Sequence, residues 1–151
     1  MHQTFDITRT SRKVLATFLQ NHTLEQLNTI PEGFTNNLIW NIGHIVVVQQ
    51  MLVYNLSGLP MLVPQEMVAK YKRGTKPGDF IGQAEVDQIQ SLLFETINQT
   101  KADFNAKIFR NYTEFTTMTG FTIKNVEDAL SFNYYHEAIH LGMMMAIKKF
   151  I

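Results

Sequence analysis

Cysteine is absent from the 151 residues. Disulfides and thiolate ligands are therefore excluded, and a reducing, cytoplasmic setting is the expectation. Charge bias is absent too: 13 Lys and Arg balance 13 Asp and Glu, and the sequence pI is about 7.0. Nothing in that balance points to nucleic acid, an anionic membrane or a highly charged substrate. Met1 to Asp6 holds no basic stretch followed by an apolar run, so no secretory leader is expected. From Phe34 through Gln65 there is no charged residue at all. A membrane span is nevertheless not expected. Asn36, Asn37, Asn41, His44, Gln49, Gln50 and Asn55 interrupt the run, and its longest aliphatic piece is only Ile45 to Val48.

Hydrophobic residues make up 45% of the sequence and charged residues 17%. That composition folds rather than staying disordered. The length suits one domain over residues 1–151 with a single core. A first helix is expected from about Asp6 to Asn21, with Val14, Leu15, Phe18 and Leu19 on its buried face and Arg9, Arg12 and Lys13 on its wet face. Thr23 caps a short turn of helix, Leu24 to Leu27, which Pro31 and Gly33 then separate from the next element. A second helix runs from about Thr35 to Leu56. Its lack of charge implies burial on most of its circumference, in a bundle or a dimer interface. The connection from Ser57 to Gly82 is long enough to be a lid or crossover. It contains a short helix, Gln65 to Tyr71, and the cations Lys70, Lys72, Arg73 and Lys76, read as solvated surface. A third helix covers about Ala84 to Ile108, with Val86, Ile89, Leu93, Ile97, Phe104 and Ile108 as its apolar stripe. The Thr- and aromatic-rich stretch from Phe109 to Gly120 suits a β-like excursion or a loop over the bundle end. Thr122 or Asn125 caps a fourth helix from about Asn125 to Ile151, which lacks proline and has Glu127 and Asp128 in its first turn. Four long amphipathic segments predict an all-α protein, a four-helix bundle with a long connection between its second and third helices.

The chemistry concentrates in His136-Glu137-Ala138-Ile139-His140. A helix advances about 100° per residue, so His136 and His140 sit one turn apart and roughly 40° from each other. Two neutral imidazoles need a third ligand to hold a first-row divalent metal well. His44, inside the uncharged second helix, is the candidate. His2 and His22 are assigned to the surface. The spacing also matches the H-E-x-x-H of zinc peptidases, in which the Glu is a general base. That match is read as coincidental. Only eleven residues follow His140, none of them Asp or Glu, and Met143 and Ala146 stand where an extended motif needs Gly and His. Glu137 is left as the one candidate catalytic side chain. Tyr134, Tyr135, Met143, Met144 and Met145 are read as packing the bundle or a dimer seam. The fourth helix is charge-free from Ala129 to Ile147 except at Glu137, and together with the uncharged second helix this leads to the expectation of a homodimer.

Two stretches carry a family resemblance. Leu27-x-x-Ile30-Pro31-Glu32-Gly33-Phe34 leading into Leu38-Ile39-Trp40-Asn41-Ile42-Gly43-His44-Ile45 resembles the second-helix signature of the DinB/YfiT-like superfamily. His136-x-x-x-His140 followed by Gly142 resembles its last-helix signature. The resemblance implies a four-helix bundle in which His44, His136 and His140 hold one divalent ion. Three imidazoles suit zinc or nickel equally and leave a coordination position open. It further implies a metal-dependent enzyme, as a thiol-dependent S-transferase or a hydrolase, whose small-molecule substrate or partner is a low-molecular-weight thiol. The alternative is a non-catalytic bundle that binds metal for structure or interaction, or not at all.

Overall fold

Residues 2–151 are described by the structure, a computed structural model, with side chains from Gln3 onward. The surface position expected for the His2 side chain lies outside the described residues. The chain is mostly helical: α1 His2–Asn21, α2 Leu24–Asn28, α3 Leu38–Val53, α4 Gln65–Tyr71, α5 Gln83–Asn105 and α6 Val126–Ile147. A 3-10 turn, Asn55–Ser57, follows α3. Two short strands, β1 Phe115–Thr116 and β2 Thr122–Ile123, pair antiparallel before α6. The four long helices touch in the order α1–α5–α3–α6, and α6 returns to α1. No helix among the described residues is long and apolar enough to cross a membrane.

Side-chain caps set several of the helix boundaries. The Thr23 hydroxyl accepts from the Gln26 amide, and the Gln26 side chain returns the bond to the Thr23 amide. Asn37 accepts from the Trp40 amide, so α3 starts three residues later than Thr35. Asn125 accepts from the Asp128 amide and is the α6 cap, which leaves Thr122 to β2. Satisfying one such amide is worth about 1 kcal/mol. The third helix stops at Asn105, short of Ile108, where Lys107 turns to a left-handed φ of 57°.

α3 is the central helix. It packs on α1, α2, α4, α5, α6 and the 3-10 turn, and that enclosure accounts for its lack of charge. The sequence left open whether a bundle or a partner covers it; its own chain does. Only Val48 and Met51 of α3 are not fully buried, and both line the cavity described below.

The first helix departs from its expected polarity. Arg12, expected in water, is 0% exposed, while Val14, expected in the core, is 40% exposed. The buried stripe is Phe5, Thr8, Arg12, Leu15 and Leu19, a spacing of three and four residues that runs straight through the arginine. Arg12 is tolerated because every nitrogen has a partner. Nε and Nη2 donate to Glu137 Oε1 at 3.2 and 2.9 Å, and Nη1 donates to the Leu93 carbonyl at 2.8 Å and to Thr96 Oγ1 at 2.7 Å. Asn133 Nδ2 donates to the same Glu137 oxygen at 2.8 Å. The network ties α1, α5 and α6 together through the core.

Candidate metal centre

His136 and Glu137 are adjacent but about 100° apart around α6. Glu137, 0% exposed, faces the α1–α5 side and is held by Arg12. His136 and His140 face α3 and meet His44. The imidazole centroids are 5.2 Å apart for His44 and His136, 4.7 Å for His44 and His140, and 4.6 Å for His136 and His140. One ligand nitrogen from each ring lies within 4.8 Å of the others. These three histidines are positioned to bind a metal ion. They are the one such group among the described residues. Glu137 is absent from the cavity that the histidines line. Its candidacy as a general base is corrected by its burial in the ion pair on the other side of the helix.

Two of the rings are oriented by neighbours, as ligating histidines are. The His44 Nδ1 lies 2.6 Å from the Tyr71 carbonyl, which can only accept. The proton is therefore on Nδ1, and the Nε2 lone pair is free. The His140 Nδ1 lies 2.8 Å from Asn41 Oδ1. The amide of Asn41 is oriented by its own bonds, since Nδ2 donates to the Asn37 carbonyl at 2.7 Å and to Asn36 Oδ1 at 2.9 Å. His140 must then donate from Nδ1 as well, leaving its Nε2 free. His136 differs, because its Nδ1 is buried with no partner among the described residues. An unpaired buried polar group costs about 1–3 kcal/mol.

Gly43 explains how the Tyr71 carbonyl comes so close. A Cβ at residue 43 would lie 2.6 Å from Tyr71 Cδ1. Only glycine lets the tyrosine ring lie flat against α3, and the ring anchors α4 so that its last carbonyl reaches His44 on the next residue. The Tyr71 hydroxyl donates to Glu85. Burial first, then that carboxylate, raises the Tyr71 pKa above its ordinary value, so the donor stays protonated. On its other side, His44 is stacked by Trp40, with centroids 4.7 Å apart and planes at 15°.

All three imidazoles are neutral near pH 7. Burial, followed by repulsion from His140 and His44, lowers His136 to about 3. Burial and repulsion from His44 lower His140 to about 4. His44 is lowered by burial, which outweighs the opposing bond to the Tyr71 carbonyl. Neutral imidazole is the ligating form.

The trio opens onto a cavity of about 310 Å³. Val48, Met51 and Leu52 from α3 and Phe132, Tyr135 and Ile139 from α6 form its walls. Phe115, Thr117, Met118 and Thr119 of the β1–β2 hairpin and Arg73 of the α4–α5 loop complete it. Both segments singled out in the sequence as irregular thus reach the cavity. Arg73 is exposed, as expected of a surface cation, and it also lines the cavity. His22 lies at the end of α1 and takes no part; its Nδ1 is 2.8 Å from the Phe18 carbonyl. The supporting groups Asn41, Gly43, Tyr71 and Arg73 were not recognised from sequence. A glycine in the middle of an apolar helix beside a histidine was the available signal for the first contact.

A family model described as the DinB superfamily matches residues 7–144. The chain belongs to that superfamily, and the three-histidine cluster stands on the two stretches that carried the resemblance. No curated protein matches the chain.

Proposed function

We propose that this protein is a divalent-metal-dependent enzyme, a thiol-dependent S-transferase built on the four-helix bundle of its superfamily, as one domain over residues 1–151. The observation that carries the proposal is the cavity: three neutral imidazoles open onto it, and no Asp or Glu lines it. Three nitrogen donors without a fourth protein ligand are the pattern of a catalytic rather than a structural site. The donor set suits zinc or nickel equally. The two Nε2 atoms freed by Tyr71 and Asn41, in a cluster that draws one nitrogen from each of the three rings, fit a cation as the missing partner. When bound, such an ion supplies a Lewis acid that lowers the pKa of a thiol. The chain's own residues do the rest. Tyr71 and Asn41 hold two ligands in the correct tautomer, the hairpin and α6 shield the cavity from water, and its apolar walls accept the body of a small molecule. Without a carboxylate in the lining, a nucleophile that needs no protein general base is favoured over a water activated by one. This preference separates the transferase from the hydrolase. A homodimer through the outer face of α6 belongs to the same proposal, supported by exposed Tyr134, Met143 and Met145 without an intervening exposed charge. So does a cytoplasmic location, supported by the cysteine-free sequence.

Metal analysis with a thiol-conjugation assay tests it. The wild type should hold one zinc or nickel per chain, and His44→Ala, His136→Ala or His140→Ala should each remove most of it together with turnover, while His22→Ala removes neither. Full metal content in His44→Ala protein would sink the assignment. Metal content intact with no thiol-dependent turnover would favour the non-catalytic bundle.

A further inference from the structure

We infer that Arg73 is the anion-binding residue of the histidine cavity, and that the ligand class is a small amphiphile with an apolar body and one carboxylate. The inference rests on the cavity being the ligand site proposed above. Four cations stand on the connection between α3 and α5, and they differ. Lys70 is neutralised by Glu85, with Nζ 2.6 Å from Oε2. Lys72 and Lys76 are exposed and line no part of the cavity. Arg73 alone of the four lines it, together with all three histidines, and it makes no hydrogen bond or ion pair among the described residues. A guanidinium has five donors in a fixed fork that matches a carboxylate. Here all five remain available at the edge of a wall made largely of apolar side chains.

The arginine is not on a loose loop. Gly74 takes a left-handed φ of 87°, and the Thr75 amide donates to the Lys72 carbonyl at 3.2 Å, which closes a tight turn around Arg73. The Thr75 hydroxyl lies 2.8 Å from the carbonyls of both Lys70 and Lys72 and accepts from Trp40 Nε1–H at 3.3 Å. Trp40 is the residue stacked on His44. One tryptophan therefore braces both the histidine and the backbone of the turn that carries the cation. A ligand that offers a carboxylate to Arg73 and a soft donor toward the histidines, with methylenes between, suits the chemistry of this lining. A charge-assisted bond to an arginine favours the anion over its neutral analogue.

Two probes that differ only in this group decide the matter: 6-mercaptohexanoate and 6-mercaptohexanol, titrated into zinc-loaded and metal-free protein and followed by the emission of Trp40, the single tryptophan. The carboxylate probe should bind the wild type about tenfold more tightly. Arg73→Gln should remove that advantage while leaving the alcohol within about twofold, and Arg73→Lys should keep part of it. Because Arg73 is exposed, neither change endangers the fold; a thermal melt checks this. Equal affinities in the wild type, an advantage that survives Arg73→Gln, or no binding of either probe overturns the inference. If zinc alters neither affinity but the Arg73 dependence stays, the metal proposal fails and the anion site stands. If zinc tightens both probes equally and the carboxylate brings nothing, the reverse holds.

Discussion

The two sides of α6 handle buried polar groups in opposite ways. On the α1–α5 side, Glu137 Oε1 receives three donors, two from Arg12 and one from Asn133, and the charges cancel within the protein. On the α3 side, three histidines carry no charge, and two of them turn a free nitrogen inward. One side is closed in charge, with Glu137 Oε2 and Asn133 Oδ1 buried without a partner among the described residues, and the other is left open to a cavity. The open side is the one that can do chemistry, because its donors are not consumed by protein groups. A sequence motif that contains both, His136-Glu137-x-x-His140, is thus divided by helical geometry into a structural half and a ligating half. In zinc peptidases the Glu of such a motif is the general base; here the ion pair with Arg12 takes its place.

Breaking the closed side should produce the largest effect. Glu137→Gln keeps the shape but leaves Arg12 buried without its counter-charge, which should cost about 3–5 kcal/mol of unfolding free energy. Denaturant melts measure it, and metal stoichiometry of the protein kept folded at low temperature should be unchanged. A Glu137→Gln protein as stable as the wild type, or one that loses its metal while folded, would erase the distinction between the two sides.

A smaller effect belongs to the groups that orient the open side. Gly43→Ala forces Tyr71 off α3 and pulls its carbonyl from His44; Asn41→Leu removes the acceptor for His140. Each should lower metal affinity about 10–100-fold. Competition with a chelator of known affinity gives the number. Wild-type affinity in both variants would mean that the histidines need no such support.

The smallest effect is the pH dependence of the metal-free protein. The folded-state pKa values of His136 and His140 are depressed to about 3 and 4, and that of His44 is also lowered. Below the unfolded value near 6.5, the unfolded chain binds protons that the folded chain refuses. Stability is thus complete above about pH 6.5 and falls as pH drops toward the folded values. The first unit, from pH 7 to 6, should cost less than about 1 kcal/mol per histidine. Thermal melts across this range should show the decline, and His136→Gln should flatten it. A melting temperature that rises on acidification contradicts neutral burial of the trio.

Much of the local structure is legible in the residues themselves. The spacing of apolar residues locates the long helices, Asn125 and Thr23 announce the caps of α6 and the short α2, and the Thr-rich stretch before Gly120 contains the first strand of the hairpin. Local physics is enough there: a cap needs only a side chain and an amide three residues on, and two histidines four apart share a helical face whatever surrounds them. The same reasoning misplaced Arg12, because charge was weighed above periodicity. Phe5, Thr8, Arg12, Leu15 and Leu19 form one stripe, and Val126, Leu130, Asn133, Glu137 and Met144 form another. Each stripe holds one charge of opposite sign, a signal visible only when both helices are considered together.

Tertiary structure alone decided which way each face of α6 points, and therefore that Glu137 is a core ion-pair partner. It also decided that the carbonyl of Tyr71 and the amide of Asn41 set the histidine tautomers, and that one cation of four reaches the cavity. The physical reason is common to all of these. Helix propensity, caps and side-chain period depend on neighbours within a turn or two of chain. The pairing of Arg12 with Glu137, or of His44 with Tyr71, depends on segments 125 and 27 residues apart meeting at hydrogen-bond distance, and only the packed helices bring those atoms together.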